Sequence, residues 1–257
     1  MKKIAVLALL AAALTFFSCD EYFSTSFGTF RSSYDPNKID VNSGNIDEWI
    51  RASAGNPKLQ QALSEAINRK LNDPSISPSE KAALLNGGIR IAVGSSGLGN
   101  SVLARASELI GKGDEINPNT LTDLLGKVQN DFNTGGGPSA ADNIAQMVYS
   151  SITGNPPVFD PSYADNVQPA DVAEAVLVLA LGLMENTGLT ADGSNNWQDV
   201  QNLAEGLSLS TDGNHITYGG TNKSALALAA YLNLIADQKD RFGNTMTDSL
   251  YSAFFSS

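Results

Sequence analysis

Few residues in this chain can start a reaction: 257 residues hold one cysteine, Cys19, and one histidine, His215. A lone cysteine makes no disulfide within the chain, and one thiol with one imidazole supplies neither a His-based zinc cluster nor a Cys-His nucleophile. A Ser-His-Asp triad would have to use His215, which falls in the turn of an expected hairpin and reads as a surface residue. No catalytic residue, metal site or cofactor is expected.

Three other stretches imitate known chemistry and depart from it. In "LGLMENTGL", Glu185 at a helix end followed by a polar residue and a glycine resembles the catalytic-acid region of lysozyme-like lytic transglycosylases. A carboxyl held protonated by an apolar pocket could donate to a glycosidic oxygen. The Gly-Leu-Met-Gln type motif expected downstream is absent, and "WQDVQNLAEGL" does not replace it. "IRIAVGSSGLG" carries Gly94, Gly97 and Gly99 after an apolar run and resembles the dinucleotide loop of short-chain dehydrogenases. It lacks the later Tyr and Lys and the acidic second strand, so it reads as a helix ending at a glycine. "DVNSGNIDEW" offers Asp40, Asn42, Asp47 and Glu48 as oxygen ligands, but Arg51 stands at the twelfth position where a calcium loop needs glutamate. "DGSNNWQDV" fails in the same way, with Leu203 at that position. A phosphate loop of the GxxxxGK type is absent.

The N-terminus gives Cys19 a role. Lys2 and Lys3, an apolar run over residues 4–17 and Ser18 have the order of an export signal, too short for a comfortable membrane span. With Cys19 directly after Ser18, the segment resembles a bacterial lipoprotein signal, and Phe16 and Phe17 make its lipobox similar to the relaxed form of spirochaetes. The resemblance covers about the first 20 residues and implies cleavage before Cys19, acylation of its thiol and an extracytoplasmic protein attached to a bacterial membrane. Asp20 resembles the inner-membrane retention signal of enteric bacteria, a rule that differs between lineages and leaves inner or outer membrane open.

Charge agrees with a lipid anchor. The chain has 16 Lys plus Arg against 27 Asp plus Glu; loss of Lys2 and Lys3 leaves 14 against 27, a net charge of −13. Such acidity opposes nucleic-acid binding and electrostatic attachment to anionic lipid. A hydrophobic content of 42% is enough for a substantial core.

The elements that must position any site are expected to be helices. Residues 1–18 form the signal, 19–45 a lipid-anchored flexible tether rich in Ser, Thr, Gly and aromatics, parts of which dock on the body, and 46–257 a helical domain. Asn56 with Pro57, Ser77 with Pro78 and Glu80, Asn117 with Pro118, and Gln168 with Pro169 each mark a helix start. "GGGP" at 135–138 separates two helices. One small β-hairpin is expected near 207–218, where Leu207, Leu209, Ile216 and Tyr218 alternate with polar residues around Asp212 and Gly213.

Residues 76–99 align without gaps on 167–190, matching Pro78 with Pro169, Glu80 with Asp171 and Gly97 with Gly188. "DNIAQMVYSS" likewise lies over "DSLYSAFFSS". The fold class expected is therefore an all-α multi-helix array, with two stacked repeat units at 46–160 and 161–257 as its organisation. It is similar in outline to tetratricopeptide-like arrays, without their consensus residues. Trp49, Tyr149, Trp197 and Tyr231 are the aromatic candidates for lining a groove between helices. The function this implies is non-catalytic binding or scaffolding at the envelope, with an envelope protein or a small solute as partner. Solute binding for a transport system and peptidoglycan cleavage through Glu185 are the alternatives.

Overall fold

Prolines open the helices at all four positions where the sequence places them. The computed structural model describes residues 35–98, 118–186, 206–211, 215–238 and 241. Its helices are α1 (Ile46–Ser53), α2 (Pro57–Leu71), α3 (Pro78–Ser95), α4 (Pro118–Thr134), α5 (Gly137–Tyr149), α6 (Pro161–Ala164), α7 (Pro169–Asn186) and α8 (Lys223–Asp237). Proline suits the first helical position because its fixed φ is already helical and its missing N–H would have no helical partner. Asn56 Oδ1 accepts the Leu59 N–H, and Ser77 Oγ accepts the Glu80 N–H, both at 3.2 Å. Asn222 caps α8 by accepting the N–H groups of Ser224 and Ala225.

Glycine sets the ends of α3 and α4. Gly97, at φ 69°, turns the chain out of α3, so "GSSGLG" ends a helix as its glycine pattern predicts. "GGGP" separates α4 from α5, with Gly136 at φ 95°. It also lets two helix ends touch through backbone, since a Cβ on Gly135 would stand 3.1 Å from the Ser96 carbonyl oxygen. A side chain there would push the end of α3 away from the α4–α5 turn.

The hairpin expected near 207–218 forms: β3 (Leu207–Leu209) pairs antiparallel with β4 (Ile216–Tyr218), Leu207 opposite Tyr218 and Leu209 opposite Ile216. A second hairpin precedes α6. In it β1 (Ile152–Thr153) pairs with β2 (Val158–Phe159). Two-residue strands are too short to show an alternation in sequence.

Helices α3, α5, α7 and α8 build the centre, α5 packing against the other three. Between Val172 and Leu183, α7 buries side chains on every face, as an internal helix must. Close approach depends on small residues. A Cβ on Gly182 of α7 would lie 2.4 Å from Ala141 Cβ of α5, and one on Gly88 of α3 would lie 2.4 Å from Met147 Sδ.

Among the described residues a single hydrophobic cluster runs from Val41 to Ile235, so the described parts of 46–160 and 161–257 share one core. The aligned prolines Pro78 and Pro169 both begin helices of 18 residues; the partner stretch at 248–257 lies outside the described residues. The body also starts earlier than Ile46. Val41 is buried, Ile39 packs on the core, and Arg69 of α2 donates to Asn37 Oδ1 at 2.8 Å and to the Pro36 carbonyl. Residues 35–45 therefore dock, and any flexible tether ends before them. Among the described residues no helix is long and apolar enough to cross a membrane.

Candidate functional site

Among the described residues, one group of polar side chains inside this array is drawn from four elements. Asp171 is the third residue of α7, where a carboxylate faces the positive end of the helix dipole. Arg90 reaches it from α3: Nε donates to Oδ1 at 3.0 Å and Nη2 to Oδ2 at 2.8 Å. This is a two-pronged, charge-assisted pair. Asp171 is almost out of water, whereas Arg90 keeps 31% of its side chain exposed.

Glu174 lies one turn along α7 from Asp171 and is half-buried. Burial pushes its carboxyl up to about 7, the Asp171 charge adds to the rise, and Arg90 opposes it. Behind the ion pair, the hydroxyls of Tyr163 on α6 and Tyr231 on α8 meet at 3.0 Å. Phe159 of β2 stacks obliquely on both rings, its centroid 4.7 Å from that of Tyr163 and 4.9 Å from that of Tyr231. Burial raises both phenols, more than their mutual hydrogen bond and the Arg90 charge offset at Tyr163. They stay neutral donors and acceptors. One guanidinium, one paired carboxylate, one carboxyl poised near neutrality and two phenols can bind a polar group or hold a proton.

The described aromatic residues proposed for a groove stand in different surroundings. Trp49 is half-buried against the core and its Nε1 donates to the Asp40 carbonyl at 3.3 Å. Tyr149 is 50% exposed at the end of α5, with the Lys223 ammonium 4.9 Å from its ring centre. Tyr231 is a correction: it is fully enclosed, so it lines no open groove, because α8 buries nearly every side chain from Ser224 to Ile235. Cys19 and Trp197 lie outside the described residues, as does the Glu185 side chain.

The calcium-like stretch from Asp192 lies outside the described residues, whereas the one from Asp40 forms local structure. Asp40 and Asn42 build the entry to α1: the Asp40 carbonyl accepts Asn45 Nδ2 at 3.1 Å, and Asn42 Oδ1 accepts the Gly44 N–H at 2.9 Å. Among the described residues no group of three or more His, Cys, Asp or Glu side chains is placed to hold a metal. His215 Nε2 meets Asp237 Oδ1 at 2.6 Å, while Ser210 Oγ accepts the His215 backbone N–H at 3.1 Å. That pair fastens the β3–β4 hairpin to the end of α8.

The Arg90–Asp171–Glu174 group was missed in sequence, although a signal existed. Arg90 is the only charge between Lys81 and Ser95 of α3, and Asp171 and Glu174 share one face at the start of α7, which is then apolar as far as Met184. Isolated opposite charges in two buried helices are expected to find each other. No protein-family model matches this sequence, and neither a curated protein nor a solved structure shows significant similarity to it.

Proposed function

We propose that this chain is a lipid-anchored, extracytoplasmic envelope protein with a non-catalytic binding or scaffolding role. The observation that carries the reading is the order Lys2-Lys3, apolar run, Ser18, Cys19, with the chain's only thiol at the one place where acylation would use it. A helical body packed around one core supports it, since packed helices present extended outer surfaces to a partner. Native mass spectrometry of protein extracted gently from its own membranes tests it. Acyl mass on a polypeptide beginning at Cys19, together with loss of membrane attachment in Cys19→Ser, is expected. A bare, unacylated chain removes the anchor.

One observation favours the narrower reading of a solute-binding accessory protein. Arg90 and Glu174 both reach solvent beside buried hydrogen-bonding groups, an arrangement that suits a small polar solute better than a flat protein partner. Reproducible small-molecule mass in the same spectra would support it, and a co-purifying protein without it would favour the adaptor role.

A further inference from the structure

We propose that, on the anchored protein, the face formed by residues 35–41 and the last turn of α2 lies against an anionic lipid surface, with α8 turned away from it. The inference rests on the lipid-anchor reading and adds an orientation to it.

Charge is divided unevenly along the chain. Residues 35–98, which hold α1, α2 and α3, carry seven Lys and Arg against seven Asp and Glu and are neutral. Residues 99–257 carry six against eighteen, a net charge of −12. Nearly all the acidity of the mature protein therefore follows α3.

Part of this division is kept in space. Helix α1 packs on α2 and α3, whereas α8 packs on α5, α7 and the strands β2 and β4. Among the described side chains after α3, three cations stand with seven acids, of which Asp142, Asp160, Asp165 and Asp237 are exposed.

The chain from Cys19 meets the body at the neutral end. Arg69 donates to Asn37 Oδ1 at 2.8 Å and to the Pro36 carbonyl, and Val41 is buried, so residues 35–41 are held against the last turn of α2. Lys38, Arg69 and Lys70 gather there with Asp35, Asp40 and Asp73, a balanced set. Two of its pairs are loose surface bridges: Lys38 to Asp35 and Lys70 to Asp73, each at 3.9 Å.

Reach and electrostatics then choose the face. From Cys19 to Asp35 a chain can span at most about 55 Å, enough to let the body turn without leaving the vicinity of the bilayer. An anionic leaflet repels acidic groups that come within a Debye length, roughly 10 Å at 0.1 M salt. The balanced entry face can come that close without net repulsion. The stretch with eighteen acids against six cations cannot.

The test uses the mature chain, residues 19–257, with its only thiol coupled to a maleimide lipid in nanodiscs that contain phosphatidylglycerol and a nitroxide headgroup lipid. Paramagnetic broadening of backbone amides is read by NMR. Broadening at Lys38 and Arg69 to Asp73 should exceed that along α8 by about threefold or more, and the contrast should shrink in phosphatidylcholine alone or at high salt. Lys38→Glu combined with Lys70→Glu should shrink it as well, with the α8 amide shifts unchanged as evidence that the fold persists. Equal broadening on both sides, strongest broadening at α8, or a contrast indifferent to lipid charge overturns the proposal. Because the lipid is attached chemically, the orientation is read whether or not native mass spectra show acyl mass, so failure of the anchor and failure of the orientation are told apart.

Discussion

Asn233 of α8 imitates a strand for Ile216 of β4: its Oδ1 accepts the Ile216 N–H at 2.6 Å and its Nδ2 donates to the Ile216 carbonyl at 3.0 Å. The same Nδ2 donates to the Pro157 carbonyl at 3.0 Å. One buried amide thus fastens both hairpins to α8. Replacing it with Leu keeps the volume and leaves an N–H and two carbonyls without this partner. Because unpaired buried groups carry their full desolvation cost, Asn233→Leu should destabilise the fold by about 2–4 kcal/mol. Urea unfolding reads the loss, and a variant as stable as wild type would show that water serves these groups equally well.

Gly182 sets the distance between α7 and α5. Alanine would add helix propensity, about 1 kcal/mol in an exposed helix, but its Cβ would fall 2.4 Å from Ala141 Cβ. Neither methyl can rotate away. Overpacking should win, and Gly182→Ala is expected to lose about 1–3 kcal/mol. Adding Ala141→Gly should recover most of that loss, whereas additive damage in the double variant would locate the strain elsewhere.

The Tyr163 and Tyr231 hydroxyls satisfy each other in the core. Either single change to Phe strands the remaining hydroxyl and should cost about 1–2 kcal/mol, while the double change to Phe should cost less than the sum of the two. A double-mutant cycle measures the coupling. Strict additivity would mean that each hydroxyl has another partner.

Arg90→Met should leave Asp171 buried without its guanidinium. Stranding a buried carboxylate costs about 3–5 kcal/mol, and the lower end is expected here because Arg90 keeps a third of its side chain in water. Pairing the change with Asp171→Leu should restore much of the stability by replacing an ion pair with apolar packing. Equal loss in single and double variants, read by thermal unfolding, would show that the pair positions the helices in a way that apolar contacts cannot.

Legibility in sequence followed the range of the forces involved. Asn56-Pro57 and Ser77-Pro78-Ser79-Glu80 were readable as helix starts because a cap and its N–H target lie within three residues. The β3–β4 hairpin was readable because Leu207 and Tyr218 alternate toward a short turn. The β1–β2 hairpin was not, since Ile152 and Thr153 are too few to display a period. Tyr231 looked like a groove residue because an aromatic on a helix is equally suited to a pocket or a core. Its enclosure depends on Tyr163 and Phe159, which come from elements 68 and 72 residues earlier in the chain.

The sequence by itself determined the all-α class, four proline-led helix starts, the glycine stops at Gly97 and Gly136, and the hairpin at 207–218, because each depends on hydrogen bonds and backbone preferences within a few residues. Tertiary structure alone decided that Arg90 meets Asp171 across 81 residues, that Asn233 joins two hairpins, and that Gly182 faces Ala141. Those relationships arise from which helix faces pack together to exclude water, and no local spacing encodes that choice.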